Sequence, residues 1–233
     1  MDMSERLNRA VTWGLSCLVV VPAFTVLMRV LNRTRIKGKH HLERAPLSLL
    51  FVSNHVTILD DGFVDSLIFP PRLFLEYDFI PHHVPEERNF FKGPLMSWFM
   101  RRMKCIPIRR GEGLFQPAMD RIIDVLGAGG CVRVFPEATR SRSGTLGHGR
   151  PGVGRVLYET GVTVVPCFHR GLDQLLPIGS VIPRIGKRVD IVIGPPFSVD
   201  DLCVLPNTRE TWQKIADRVM EKIAELARPE TGG

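Results

Sequence analysis

The stretch "LSLLFVSNHVTILDDG", residues 47–62, joins an apolar run to a polar segment with one histidine and two adjacent aspartates. The run 47–53 is typical of a buried strand, because it is short, apolar and followed by turn-forming residues. The residues after Asn54 predict a turn and then a helix that begins near Asp60. The sequence therefore predicts a strand, a turn and a helix in succession.

The same alternation continues along the chain. Further apolar runs rich in β-branched residues lie at 104–108, 131–135, 163–168 and 188–194. Helical patterns lie near 61–69, 92–103, 115–127, 152–160 and 208–228, and Asn207 and Glu210 are predicted to cap the last of these helices. Strands that alternate with helices predict an α/β fold with a mixed, partly parallel sheet flanked by helices.

The composition narrows the classes of partner. With 31 basic and 24 acidic residues the chain carries a net charge of +7, which favours an anionic partner such as nucleic acid, a phosphorylated substrate or an acidic membrane surface. The five cysteines are widely spaced and form no CxxC pair, so we expect free thiols in a reducing compartment. Two His-His pairs, at 40–41 and 82–83, have no partners at ligand spacing, so we predict no metal site.

The N-terminal segment predicts contact with a membrane. The uncharged run between Arg9 and Arg29 would be about 28 Å long as a helix, close to the thickness of a bilayer's hydrocarbon core, although Pro22 is expected to interrupt and kink it. We predict a membrane-associated helix in residues 1–33 and a folded domain in residues 34–233. Basic residues are more numerous after the run than before it, which favours a cytoplasmic domain. The sequence leaves open whether the helix spans the bilayer, lies in one leaflet or is a core helix of a soluble protein.

His55 and Asp60 are the first candidates for chemistry. Residues five apart on a continuous helix point about 140° away from each other, so these side chains meet only if the chain turns between them. A strand that ends at Asn54 and a helix that begins near Asp60 supply that turn. The carboxylate would then accept the imidazole N–H and leave the other ring nitrogen as a base. The alternative is that Asp60 caps the helix and His55 is an ordinary loop residue.

Two later segments place arginines at predicted strand ends. In "RVFPEATRSRSG" (Arg133–Gly144) a strand leads into a polar loop, where an arginine can bind phosphate or pair with Glu137. In "KCIPIRRGE" the strand pattern is followed by Arg109 and Arg110, which suit an anionic group or solvent equally. The segment "GHGRPG" lacks the strand and the acidic residue of a dinucleotide site, and no serine-hydrolase or P-loop signature is present.

Together, in this order, the blocks resemble the glycerolipid acyltransferase family, whose hallmarks are NHxxxxD and FPEGTRS. The resemblance covers most of the chain from Arg35 to Leu202. The wording of "SNHVTILDDG", "IPIRRG", "HRGLDQLLP" and "PRIGKRVDIVIGPPF" is most similar to the tafazzin branch, which exchanges acyl chains between phospholipids and lysophospholipids. The wider family uses acyl-CoA or acyl-carrier protein as donor, often with lysophosphatidic acid as acceptor.

The resemblance implies a glycerol-phosphate acyltransferase-like fold, an acyltransferase domain in residues 34–233 and a role for each matched residue. His55 matches the base, Asp60 the carboxylate that orients it, and Arg110 the arginine that closes the second motif. The substrate-binding loop contributes three matched residues, of which the last is the expected phosphate ligand: Glu137, Thr139 and Arg140. The chain departs from the family at Ala138, where glycine is usual, and at Arg109, where many members have an acidic or neutral residue. Asp61 has no assigned role beyond support of the turn.

The implied function is transfer of a fatty acyl chain to the free hydroxyl of a lysophospholipid, in phospholipid synthesis or remodelling. The implied partners are the lysophospholipid, membrane lipids and a donor that is acyl-CoA, acyl-carrier protein or a phospholipid; no cofactor and no metal are implied. A catalytically inactive, membrane lipid-binding protein of the same fold is the alternative, and the intact His55–Asp60 pair argues against it. We predict no nucleic-acid partner, because no motif for one is present.

Overall fold

A five-stranded sheet forms the centre of the computed structural model, which describes residues 2–141 and 144–228. The strands are β1 (Arg33–Lys37), β2 (Leu49–Ser53), β3 (Cys131–Val134), β4 (Thr163–Arg170) and β5 (Arg188–Ile193), in the spatial order β1-β5-β4-β2-β3. All neighbouring strands are parallel except β4 and β5, which are antiparallel. The prediction of a mixed, partly parallel sheet flanked by helices is confirmed.

The five predicted helices of the domain lie close to their predicted positions, and five short helices in the described part of the chain were not predicted. A 28-residue N-terminal helix, α1 (Met3–Val30), precedes the sheet. The others are α2 (Lys39–Glu43), α3 (Asp60–Ile68), α4 (Arg72–Leu75), α5 (Glu87–Phe90), α6 (Gly93–Arg102), α7 (Pro117–Gly127), α8 (Pro151–Thr160), α9 (Leu172–Leu175), α10 (Asp200–Cys203) and α11 (Arg209–Ala227).

Two local predictions were wrong. Residues 104–108 form no strand; Cys105 and Ile108 only make isolated bridges to an extended segment at His83 and Glu86. The cap of α11 is Thr208, whose side chain accepts from the backbone N–H of Thr211, and not Asn207. The Asn207 Oδ1 atom instead accepts a 2.7 Å hydrogen bond from the Trp212 indole, so its side chain is not available to the helix end.

The sheet has one hydrophobic cluster on each face, because successive side chains of a strand point to opposite faces. Leu49 and Phe51 of β2 pack with Phe63 of α3 on one face. Leu50 and Val52 pack on the other face with residues of α7, α8 and α11. All five residues of β2 are buried, which explains why its sequence is a continuous apolar run rather than an alternating one.

Helix α1 continues through Pro22. A π-helical segment, Leu15–Val20, precedes this residue, and the backbone N–H of Val21 bonds the carbonyl of Ser16. The helix is long and apolar enough to cross a membrane. One side of it packs on the domain, where Cys17, Val21 and Met28 join the same hydrophobic cluster as Phe63. The division of the chain into residues 1–33 and 34–233 stays a prediction.

The topology collects several chain segments at one edge of the sheet. The parallel strands β2, β3 and β4 all end there, and His55 follows directly after β2. Because β5 runs antiparallel to β4, it begins at this edge, and so does β1, which is parallel to β5. The C-terminal end of α1 and the loop before β5 therefore lie at the same sheet edge as His55.

Candidate active site

The turn predicted from the spacing brings His55 and Asp60 together. The Nδ1 atom of His55 lies 2.9 Å from Oδ2 of Asp60, within hydrogen-bond distance. The Asp60 side chain is fully buried, whereas 16% of the His55 side chain is exposed. Since Nδ1 faces the carboxylate, Nε2 is the ring nitrogen that remains for a substrate.

Asp60 also organises the turn itself. Its carboxylate accepts hydrogen bonds from the backbone N–H of Val56 (2.7 Å) and from the backbone N–H (3.0 Å) and hydroxyl (2.6 Å) of Thr57. Asp60 therefore has both of the roles considered from the sequence, since it holds the turn before α3 and orients His55. Burial acts to raise the pKa of Asp60, but His169 and the hydrogen bonds from His55 and Thr57 outweigh it and hold the pKa below its usual value.

The loop after β3 contacts both the ring and the backbone of His55. The Phe135 ring stacks on the imidazole, with 3.9 Å between ring centres and 12° between planes. The backbone N–H of His55 donates to Oε1 of Glu137 (3.1 Å), and the carbonyl of His55 accepts from the N–H of Ser141 (2.8 Å). The turn that carries His55 and the loop 135–141 are thus joined into one unit.

Glu137 is buried in this unit and connects the backbone of His55 to that of Gly147. Its second carboxylate oxygen accepts from the backbone N–H of Gly147 at 2.8 Å, and a Cβ atom at Gly147 would come 2.8 Å from that oxygen. Burial raises the pKa of Glu137. Because both oxygens accept backbone hydrogen bonds, the geometry favours a role in holding the loop over the predicted contact with substrate.

The predicted arginines are in different environments. Arg140 is half-buried in the loop beside His55 and has no hydrogen bond or ion pair within residues 2–141 and 144–228, and Thr139 is exposed. Arg110 forms an ion pair with Glu86 (3.1 Å), and no contact among the described residues joins it to His55. Arg142 lies outside the described residues.

Ala138 has a left-handed backbone conformation, with φ of 59°. For a residue with a Cβ atom this conformation costs about 1–2 kcal/mol. Substitution Ala138→Gly is expected to raise the free energy of unfolding by about 0.5–1 kcal/mol, since glycine relieves the strain but loses more entropy on folding. Urea unfolding measures the change. As a control, Ala216→Gly inside α11 is expected to destabilise by at least about 1 kcal/mol; equal losses at both positions would contradict the prediction.

Two further residues near Asp60 were missed in the sequence. The side-chain amide of Asn54 donates to the carbonyl of His169 and accepts from its N–H, both at 2.9 Å, which ties the end of β2 to β4. The His169 Nε2 atom lies 3.9 Å from Oδ2 of Asp60, and burial lowers the pKa of this histidine to about 4, so its ring is neutral at pH 7. Polar residues at the ends of two neighbouring strands were the available signal.

A group of charged side chains around a buried arginine was also missed. Arg133 in β3 is 1% exposed and lies between Asp61 and Asp65 of α3. His83 faces the same two carboxylates, at 3.4 and 3.7 Å. The His-His pair at 82–83 therefore does have charged partners, but they are far away in sequence.

Comparison with known proteins gives consistent matches. Residues 33–170 match the Acyltransferase family. The chain is 29% identical over 217 residues to Tafazzin of Drosophila melanogaster, covering 90% of this chain and 56% of that protein. It is 29% identical over 198 residues to Taffazin of Dictyostelium discoideum, covering 81% and 68%.

Two further matches widen the comparison. The chain is 30% identical over 186 residues to a chloroplastic 1-acyl-sn-glycerol-3-phosphate acyltransferase of Arabidopsis thaliana, covering 79% of this chain and 49% of that protein. The crystal structure of the 1-acyl-sn-glycerophosphate acyltransferase from Thermotoga maritima superposes with a TM-score of 0.69 at 21% identity, covering 100% of this chain and 86% of that one. The chain thus spans about half to two thirds of the length of its curated relatives.

Proposed function

Because this chain belongs to the acyltransferase family, we propose that it transfers a fatty acyl chain to the free hydroxyl of a lysophospholipid. The observation that carries the proposal is the 2.9 Å contact between His55 Nδ1 and Asp60, which leaves Nε2 as a base. Both residues lie within the part of the chain that matches the family. Relatives named as tafazzin and as 1-acyl-sn-glycerol-3-phosphate acyltransferase support a glycerophospholipid substrate.

In the proposed reaction His55 acts on the acceptor directly. Its Nε2 atom removes the proton from the lysophospholipid hydroxyl while the oxygen attacks the carbonyl carbon of the donor ester or thioester. The tetrahedral intermediate then collapses, and the leaving oxygen or sulfur takes the proton back from His55. Asp60 stays ionised throughout and stabilises the imidazolium. No covalent acyl-enzyme is needed.

The donor is identified by offering three of them in parallel. The protein is purified and placed in liposomes that contain labelled lysophospholipid. Separate samples then receive acyl-CoA, acylated acyl-carrier protein or a diacyl phospholipid. Product from the phospholipid alone would support a tafazzin-like transacylase. Product from the thioesters would support an acyltransferase that uses acyl-CoA or acyl-carrier protein as its donor. Lipid binding without product from any donor would contradict the proposed enzyme and support the inactive lipid-binding alternative.

We propose that Arg140 binds the acceptor phosphate, because it lies beside His55 without a partner of its own in the described residues. Substitution Arg140→Gln is expected to raise KM for lysophosphatidic acid about 10- to 100-fold, since a hydrogen bond to a charged group contributes about 1.5–3 kcal/mol. Steady-state kinetics at saturating donor measure this change. The matched control is Arg109→Gln, because Arg109 is already paired with Glu87 and Glu112. Equal KM values for Arg140→Gln and wild type would contradict the role.

We also propose that the sheet edge at His55 faces a lipid bilayer from the cytoplasmic side. The end of α1 and the loop 177–186 meet there, with the Gly186 N–H donating to the Leu31 carbonyl at 2.8 Å. These segments expose aliphatic side chains: Val30, Leu31, Ile178, Val181, Ile182 and Ile185. Exposed basic residues flank them: Arg29, Arg33, Arg184 and Arg188. Apolar side chains with a basic rim suit an anionic membrane surface.

The double substitution Val181→Asp and Ile182→Asp is expected to lower binding to phosphatidylglycerol vesicles by at least about tenfold, because charges replace two apolar groups at the membrane interface. Vesicle flotation measures the bound fraction. Val204→Asp is the control, since Val204 is as exposed as Val181, 82% against 85%, but lies between α10 and α11. A loss of binding of the same size in the control would contradict the proposed orientation.

A further inference from the structure

Four ionisable side chains, two of them buried and two partly exposed, form a group beside the catalytic pair without touching the reacting atoms. Asp61 and Asp65 lie on successive turns of α3, Arg133 lies in β3, and His83 lies in the extended segment next to β3. Arg133 is 1% exposed and Asp65 is 7% exposed. We call these four residues the charge cluster.

Arg133 connects the cluster to both halves of the catalytic turn. Its Nε atom lies 2.6 Å from Oδ1 of Asp61, the residue directly after Asp60, and its Nη1 atom donates to Asp65. Its Nη2 atom donates to the Ser53 hydroxyl at 2.9 Å, at the end of β2. Because Arg133 holds the strand end before His55 and the helix start that carries Asp60, it fixes the distance between the two.

Arg133 is also connected to the imidazole of His55 through the Phe135 ring. Its guanidinium carbon lies 5.0 Å from the centre of the Phe135 ring. The same Phe135 ring stacks on the imidazole of His55. A displacement of the guanidinium would therefore move the aromatic ring against which the base is packed.

The charges of the cluster do not balance without a proton. Two carboxylates and one guanidinium leave one negative charge, and an unpaired charge on the buried Asp65 would be strongly destabilising. His83 Nδ1 faces Oδ2 of Asp61 at 3.4 Å and Oδ2 of Asp65 at 3.7 Å. Among the described residues, His83 Nδ1 and Asp65 Oδ2 have no hydrogen-bond partner, and Asp61 Oδ1 and Arg133 Nε are in ion-pair contact without a hydrogen bond. The His83 Nδ1 and Asp65 Oδ2 atoms converge where an additional proton would be bound.

The other titratable groups around this point do not supply the missing charge. Burial lowers the pKa of His82 and of His169 to about 4, so both rings are neutral at pH 7. Burial raises the pKa of the Cys105, Cys131 and Cys167 thiols, which are therefore neutral. His55 interacts with Asp61 from the catalytic side, but its Nδ1 already faces Asp60. Lys104 lies beyond Cys131 and donates to the carbonyls of Tyr77 and Ile80.

We propose that Asp61, Asp65, Arg133 and His83 are positioning residues for the catalytic pair, balanced by one proton shared between His83 and the aspartate oxygens. The kinetic part of this proposal rests on the proposed acyl transfer. Burial acts to lower the pKa of His83, but Asp61 and Asp65 outweigh it and raise the pKa. Burial also raises the pKa of Asp65 to about 7, which fits the same additional proton. The doubled aspartate thus gains a function: Asp60 orients the base, and Asp61 anchors Asp60.

A charge-balance cycle tests the proposal with four proteins: wild type, His83→Gln, Asp65→Asn and the double variant. His83→Gln removes the imidazole that shares the proton and leaves Asp65 to carry it alone, so that ionisation of Asp65 places a negative charge near His55. We expect kcat at pH 7 to fall about tenfold with little change in KM, and the acid limb of the pH profile to move up by about one pH unit. Asp65→Asn keeps the cluster neutral and is expected to cost about threefold at most. The double variant is also neutral and should regain most of the loss.

Losses in kcat that simply multiply in the double variant would overturn the proposal, as would wild-type kinetics in His83→Gln. The same cycle is measured by thermal unfolding, where rescue of Tm in the double variant supports the charge balance even if none of the proteins transfers acyl chains. In that case the proposed function fails and the cluster stands. Additive losses of Tm in the double variant would overturn the proposed charge balance, whether or not the protein transfers acyl chains.

Divalent cations provide an independent test. The ligand-capable atoms of Asp61, Asp65 and His83 lie within 4.8 Å of one another, so the same three residues are a candidate cation site. Because the Arg133 guanidinium already pairs with both carboxylates, we expect Mn²⁺ or Zn²⁺ to leave the Tm of the wild type unchanged. A metal-dependent rise in Tm that is lost in His83→Gln would overturn the assignment of a proton.

Discussion

Substitution of His55 by alanine is expected to lower kcat for acyl transfer about 10²- to 10⁴-fold, the range contributed by a general base. The structure gives the reason: Nδ1 is held 2.9 Å from a buried carboxylate, which leaves Nε2 as the atom that accepts the proton. The stability of the protein should change little by comparison, because the ring is partly exposed and lies against one aromatic neighbour.

The measurement is the steady-state rate of transfer to labelled lysophospholipid in liposomes at saturating substrates, with whichever donor supports the wild type. The matched control is His40→Ala, since His40 is exposed and its ring lies against that of its neighbour His41, with 44° between the planes. Transfer at the wild-type rate in His55→Ala would exclude the mechanism. A loss of equal size in the His40 variant would show that the assay does not report on the catalytic step.

The largest loss of stability is expected for Arg133→Met, about 3–5 kcal/mol in the free energy of unfolding. Removal of the guanidinium leaves the buried Asp65 and the partly exposed Asp61 without their main positive partner, and loss of one partner is the costly case for a buried ion pair. Urea unfolding at pH 7 measures the loss. Arg218→Met is the control, because Arg218 pairs with Asp201 at the surface and such pairs contribute about 0–1 kcal/mol.

The pH dependence of this loss follows from Asp61. Burial acts to raise its pKa, but His83 and Arg133 outweigh burial and lower the pKa to about 2. Stabilisation by this carboxylate is therefore complete above the ordinary pKa of aspartate and is lost as the pH falls toward 2. The difference in the free energy of unfolding between wild type and Arg133→Met should therefore become smaller as the pH falls from the ordinary pKa of aspartate toward 2. A difference that stays constant from pH 7 to pH 3 would argue against the ion pair as its source.

The sequence predicted those parts of the fold that depend on local pattern. The continuous apolar run of β2 and the helical periodicities were sufficient to locate most elements. Strand β1 was not predicted, because "RTRIK" is polar and its exposure alternates along an edge of the sheet. Its pairing with β5 joins residues 33 and 188, and no local pattern carries that information.

The candidate site divides in the same way. His55 and Asp60 were found because their spacing fits a tight turn, and the turn is local. The role of Glu137 in substrate binding stays a prediction, and its hydrogen bond from the backbone N–H of His55, 82 residues away, was not expected from the sequence. Arg133 was not considered, because an arginine within a strand pattern resembles a solvent-facing residue. Only the three-dimensional packing of α3 on β2 and β3 brings two aspartates to it.

The partial burial of α1 has a consequence for producing the protein. Deletion of the helix to obtain a detergent-free sample would remove Cys17, Val21 and Met28 from the hydrophobic cluster around Phe63. The outward side chains Leu18, Val19 and Val26 contribute nothing to that cluster, because they are 50–69% exposed. Polar substitutions on this outward side alone, rather than truncation, are therefore the rational route to a soluble sample that keeps its interior intact.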